Sequence, residues 1–153
     1  MTAPATDTEL LTRLVRTRLA CLVQLRDMGR RQLALIERAD ITGLLDVLVV
    51  KQRPLAELQQ IERALAPFRA ERPDERRWPT PADRAACAQL LRECDALLGE
   101  ILAQEQRCEA TLAQRRDEAA RRLHGLHAAG QAHGAYAAAV PPAIPQLDLL
   151  SER

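Results

Sequence analysis

Three cysteines, Cys87, Cys94 and Cys108, fall seven and fourteen residues apart in one stretch of the sequence, and thiolates are good zinc ligands. Seven residues of helix span about 10 Å along the axis. Two such thiolates cannot both approach one ion to about 2.3 Å. Heptad spacing suits them better as small buried hydrophobes. His124 and His127 share a helix face and His133 follows further on, but no carboxylate or thiol stands at a supporting spacing. Imidazoles near a helix C-terminus are favourable without any ligand. Glu105 and Glu109 also share a face, with Arg107 and Arg116 close enough to make them surface residues. No glycine-rich loop follows a strand and no nucleophile elbow is present. The expectation is a chain with no catalytic residues, no cofactor and no metal: not an enzyme.

What remains is the scaffold. The 153 residues suit one domain, and one Phe, one Tyr and one Trp leave the core to Leu, Ala, Val and Ile. A chain rich in Leu, Ala, Arg, Glu and Gln is composed like long helices. Charged residues make up 28% yet nearly cancel, to a formal +1. Arg and Asp/Glu alternate along the same segments, as on solvated helix faces, and no basic stripe for nucleic acid stands out. Lys51 is the one lysine among 22 basic residues, which reads as base composition. Met1–Glu9 has no signal-peptide character, and the longest apolar run, Ile41 to Val50, is too short to span a bilayer and is interrupted by Asp46. The expected location is the cytoplasm, without membrane insertion, where cysteines stay thiols.

The apolar period predicts helices over about 8–38, 41–68 and 81–127. In the first, Leu11, Leu14, Cys21, Leu25, Met28 and Leu35 step by threes and fours, with Arg18 and Gln32 interrupting the stripe and Leu22, Leu33 and Ile36 widening it. Gly29 marks a close approach of another helix. Asp40 is an N-cap for the second helix; the sequence leaves open a sharp turn there or a kinked continuation, and the lack of Gly or Pro between Arg38 and Ile41 argues for near-continuity. Ile41, Leu44, Leu45, Leu48, Leu55, Leu58, Ile61, Glu62 and Leu65 carry the second helix, with Pro54 expected to kink it near Lys51. Arg69–Pro79 is a charged connector, and Thr80-Pro81-Ala82-Asp83 is a helix start. The third seam reads Cys87, Leu91, Cys94, Leu98, Ile101, Glu105, Cys108 and Leu112 before its apolar quality fails. The fold expected is all-α: an elongated antiparallel coiled-coil hairpin or three-helix bundle over 1–128, the third helix antiparallel to the first two. Gly130, Gly134 and the prolines beyond break the helix, leaving 129–153 as a flexible tail.

Function then rests on surfaces. The tail is too apolar for an inert linker, and the seam beyond Leu112 lacks large residues. The candidate partner-binding residues are Leu112, Ala119, Leu123, Leu126, Tyr136, Val140, Ile144, Leu147, Leu149 and Leu150. The alternative is a structural or adaptor coiled coil whose unfilled seams make a homo-oligomer.

The run Ile36-Glu37-Arg38-Ala39-Asp40-Ile41, followed by Leu44-Leu45, Lys51, Leu55 and Leu58, resembles the central motif of flagellar export chaperones of the FlgN type. The charged connector, the long third helix and the tail with Tyr136 and Leu147-Asp148-Leu149-Leu150 agree in layout, while Pro54 departs from an uninterrupted second helix. The resemblance implies a cytoplasmic type III secretion chaperone that binds late flagellar exports, the hook-filament junction proteins, and delivers them to the export gate. It further implies that the C-terminal region receives the cargo and that Tyr136 contacts the export apparatus.

Overall fold

The computed structural model describes residues 7–139: helices α1 (Asp7–Glu37), α2 (Ile41–Ala70) and α3 (Pro81–Ala139), with a single 3₁₀ turn, Pro73–Glu75, before α3. No strand occurs among the described residues, and no helix among them is long and apolar enough to cross a membrane. The chain divides into two compact units, Met1–Leu112 and Ala113–Arg153. The fold is the all-α bundle that the apolar periods require.

Between α1 and α2 the chain reverses rather than continuing. Ala39 takes a left-handed conformation with φ 57°. Its N–H donates to the Ile36 carbonyl (3.0 Å) and the Asp40 N–H donates to the Leu35 carbonyl (2.9 Å), the paired bonds that close a helix end. Asp40 serves both helices, since its carboxylate also accepts the Gly43 N–H at 2.9 Å to cap α2. A Cβ on Gly43 would lie 2.8 Å from a Leu35 methyl and 2.9 Å from that carboxylate, so glycine permits the tight turn. Near-continuity failed as an expectation because alanine, lacking glycine's freedom, can still be held left-handed when two backbone bonds and a cap converge on it.

α3 therefore lies antiparallel to α2 but parallel to α1, an up-down-up order that corrects the expected arrangement. Its start is capped by Thr80, whose hydroxyl accepts the Asp83 N–H (3.1 Å) and donates to the Asp83 carboxylate (2.8 Å). One apolar cluster joins Leu11, Val15, Cys21, Leu22 and Leu25 of α1 with Ile61, Leu65 and Phe68 of α2 and Cys87, Cys94 and Leu97 of α3. A second joins Leu35 and Ile36 with Leu44, Val47 and Cys108. The connector is pinned where it passes Phe68: Arg76 donates to the Phe68 carbonyl and sits 6.0 Å from the ring centroid, and Trp78 packs on the first cluster. Gly29 does mark a close approach, for a Cβ there would collide with the Gln104 amide, whose Nε2 donates to the Arg26 carbonyl at 3.2 Å.

α2 keeps Leu44, Leu58, Ile61 and Leu65 of the expected stripe inside but turns its other apolar members outward. Its buried positions are Leu44, Val47, Lys51, Pro54, Ile61, Leu65 and Phe68, an alternation of three and four once half-buried Leu58 is included. Ile41, Leu45, Leu48 and Leu55 face outward. Lys51 holds an interior place because its ammonium is satisfied from both neighbours: it donates to Gln32 of α1 at 3.1 Å and pairs with Glu105 of α3. A buried charge without such partners would cost several kcal/mol. In each helix this polar node lies between the segments that supply the two apolar clusters. A second polar contact crosses the first cluster, where Arg18 bonds Glu62 at 2.6 Å and Glu62 also pairs with Arg69.

α2 stays one helix through Pro54 and Pro67. Pro54 lacks the N–H that Val50's carbonyl would receive, and its own carbonyl accepts the Cys21 thiol at 3.0 Å. α3 continues past Gly125, Gly130 and Gly134 to Ala139, twelve residues beyond the expected end at 127. Glycine costs only about 1 kcal/mol relative to alanine in a helix, and the surrounding alanines, the best helix formers, carry the helix across it. Of the expected tail, 140–153 lies outside the described residues.

Two predictions follow from these contacts. Ala39→Gly relieves the left-handed strain and should raise the unfolding free energy by about 1 kcal/mol in urea titration; an unchanged or lower midpoint contradicts the turn described. For Glu62, burial alone would raise the carboxyl pKa, but hydrogen bonds from Arg69 and Arg18 outweigh it and hold the value below the ordinary 4.5. The bonds therefore stabilise the fold above that pH and are lost as pH falls through the depressed folded value. Acid titration of the unfolding free energy should show this loss, and Glu62→Gln should flatten it; equal slopes in the two proteins contradict the assignment.

Candidate partner-binding surface

The expected surface residues divide between the two units. Leu112, the last residue of the first, is 40% exposed, whereas Cys108 one turn earlier is buried. In the second unit the helical stretch 113–139 has no buried residue. It holds ten alanines among 27 residues, and alanine stabilises helix without needing a partner for its side chain. Gly125, Gly130 and Gly134 have nothing within 4 Å of the position a Cβ would take. Among the described residues no packed neighbour occupies the space that these glycines leave.

Ala119, Leu123 and Leu126 step by four and three along this stretch and so share one face. Leu123 is 68% exposed and Leu126 71%; Ala119 is exposed with them. At about 100° per residue, Arg115 and Arg122 border the face on one side and Arg116 on the other. The stretch carries Arg115, Arg116, Arg121 and Arg122 against Asp117 and Glu118, four positive minus two negative, for a formal +2. Arg115 pairs with Glu118 (3.8 Å) and Arg116 with Asp117 (3.3 Å). Arg121 and Arg122 make no ion pair among the described residues. An apolar stripe bordered by guanidinium groups is suited to an amphipathic helix with acidic flanks.

Tyr136, 72% exposed, lies ten residues past Leu126. That is roughly a quarter-turn off the stripe, so the structure does not bring it onto the same face. Val140, Ile144, Leu147, Leu149 and Leu150 lie outside the described residues.

Cys21, Cys87, Cys94 and Cys108 are free and buried, and burial pushes the thiols of Cys21, Cys94 and Cys108 up, towards the protonated form. Among the described residues no three His, Cys, Asp or Glu side chains gather as metal ligands would. His127 and Gln131 share a hydrogen bond at 3.0 Å. A cavity of about 440 Å³ is lined by Thr8, Thr12 and Trp78 together with the acidic Glu9 and Asp83 and the basic Arg13 and Arg16. Composition alone gave no reason to single out Lys51, Gln32 and Glu105 as a set. A signal was present, since Arg18, Gln32, Glu62 and Glu105 each interrupt an apolar seam.

Comparison with models of protein families, with curated proteins and with solved structures returned no match.

Proposed function

We propose that this chain is an export chaperone of the flagellar type III system, holding a hook-filament junction protein in the cytoplasm and delivering it to the export gate. The reading rests on the resemblance around Glu37–Leu58 and on the layout of three helices with a long third one. The observation that carries it is the exposure of Leu123 and Leu126 on a helical stretch with no buried residue. Apolar side chains so placed gain about 25 cal/mol for each Å² removed from water. A cargo helix laid along Ala119, Leu123 and Leu126 would bury its own apolar face in the same step. Arg122 would meet acidic residues on the cargo's flank, which makes association salt-dependent. Tyr136, off the stripe, is left for a separate contact with the gate.

A second reading, a structural or adaptor coiled coil that forms a homo-oligomer, draws on the apolar residues that α2 leaves outside. The two readings separate on cargo.

Titration calorimetry of the full chain with purified hook-filament junction proteins tests the proposal. One of them should bind, and the double substitution Leu123→Glu with Leu126→Glu should weaken that complex at least tenfold, about 1.4 kcal/mol or more. Both side chains are exposed, so circular dichroism should report an unchanged fold. Undiminished binding by the variant, or no binding of any junction protein by the parent chain, sinks the proposal.

A further inference from the structure

The most apolar run of the sequence, Ile41 to Val50, is only partly used by the core. Leu44 and Val47 are buried, but Ile41, Leu45, Val49 and Val50 are 57%, 58%, 72% and 58% exposed, and Leu48 is 36% exposed. All belong to the unit Met1–Leu112. Burying Lys51 fixes this outcome, because a helix that turns position 51 inward must turn 45 and 49 outward. At about 100° per residue, Leu45, Val49 and Val50 border the outward line of the helix that carries positions 46 and 53, whereas Ile41 and Leu48 lie on its flank; exposed apolar residues beside such a line mark an interaction surface.

The charges on the face indicate what covers it. Asp46 is exposed and makes no ion pair among the described residues. Arg53, two turns on along nearly the same line of the helix, is exposed and holds only the surface contact with Glu57 at 3.3 Å. Positions 46 and 53 are equidistant from the point between Val49 and Val50. A second α2 laid antiparallel across a two-fold axis at that point sets Asp46 opposite the other copy's Arg53, twice over. A parallel pairing would set like against like.

We propose that the outer face of α2 is a self-association surface, where a second copy of this chain packs its α2 antiparallel, Val49 and Val50 at the axis and Asp46 paired with Arg53 across it. Such contacts are isologous, each copy giving and receiving the same residues. The face offers on the order of a few hundred Å² per copy, below the roughly 800 Å² per partner of standard interfaces. The dimer is therefore a weak one, forming in the micromolar range. This surface is separate from the stripe at Ala119, Leu123 and Leu126 and does not depend on any cargo.

Sedimentation equilibrium of the full chain between about 5 and 200 µM tests the proposal. The parent chain should pass from monomer to dimer across that range. Asp46→Arg alone and Arg53→Asp alone each place like charges opposite one another and should weaken the dimer roughly tenfold. The two together restore both pairs and should return the dissociation constant to within about threefold of the parent, with circular dichroism unchanged throughout. A parent chain that stays monomeric overturns the proposal, whether the face is left open or is taken by the chain's own C-terminal segment or by another protein. So do single substitutions without effect, and so does a charge exchange that fails to restore association.

Discussion

The bundle is organised around the ammonium group of Lys51. It is 7% exposed as a residue, and it meets Gln32 of α1 and Glu105 of α3. One side chain thus ties all three helices at a level where the apolar core is interrupted. A lysine can be held there only if its partners are held too, and this sets the relative register of the helices more sharply than aliphatic packing does. Leucines slide past one another at small cost; an ammonium moved by one helical turn loses both acceptors. The node is weakened by solvent on one side, because the Glu105 side chain is 38% exposed. Its contribution is therefore smaller than that of a fully buried pair, and its effect is on specificity of register as much as on stability.

The rest of the surface follows from that register. With Lys51 inward, the interior line of α2 runs through Leu44, Val47 and Pro54, and the remaining apolar residues between Ile41 and Leu55 are turned outward. Had Leu45, Leu48 and Gln52 formed the interior line instead, the lysine would have been a surface residue. The turn at Ala39 and Asp40 is the other constraint on α2, since it sets where the helix begins and the direction in which it returns. Within 113–139 neither constraint operates, and alanine content and local pairs such as Arg116–Asp117 favour helix there.

Much of this architecture was legible in the sequence, for reasons that can be named. Cap chemistry is local, so Asp40 and the Thr80–Asp83 start could be read directly, and the steps of three and four through Leu11, Cys21, Leu25 and Leu35 identified the buried face of α1. The α2 register could not be read this way because two apolar lines compete on that helix and share its leucines equally, Leu44, Leu58 and Leu65 on the interior line and Leu45, Leu48 and Leu55 outside. Deciding between them needs Gln32 and Glu105, which are distant in sequence and meet Lys51 only in three dimensions. The end of α3 was misjudged for a different reason: glycine weakens a helix without ending it, and the alanine content around Gly130 and Gly134 outweighs them. Of the surface candidates, the spacing of Ala119, Leu123 and Leu126 identified a shared face, but a single aromatic such as Tyr136 carries no period that would have placed it.

The coupling between Lys51 and Glu105 tests the organising role of the node most directly. A double-mutant cycle of Lys51→Met and Glu105→Gln, read by urea unfolding, should give an interaction energy of about 1 kcal/mol or more. Glu105's partial exposure keeps the value below that of an enclosed pair. Additive effects, with an interaction energy under about 0.3 kcal/mol, would mean that the helices find their register without Lys51.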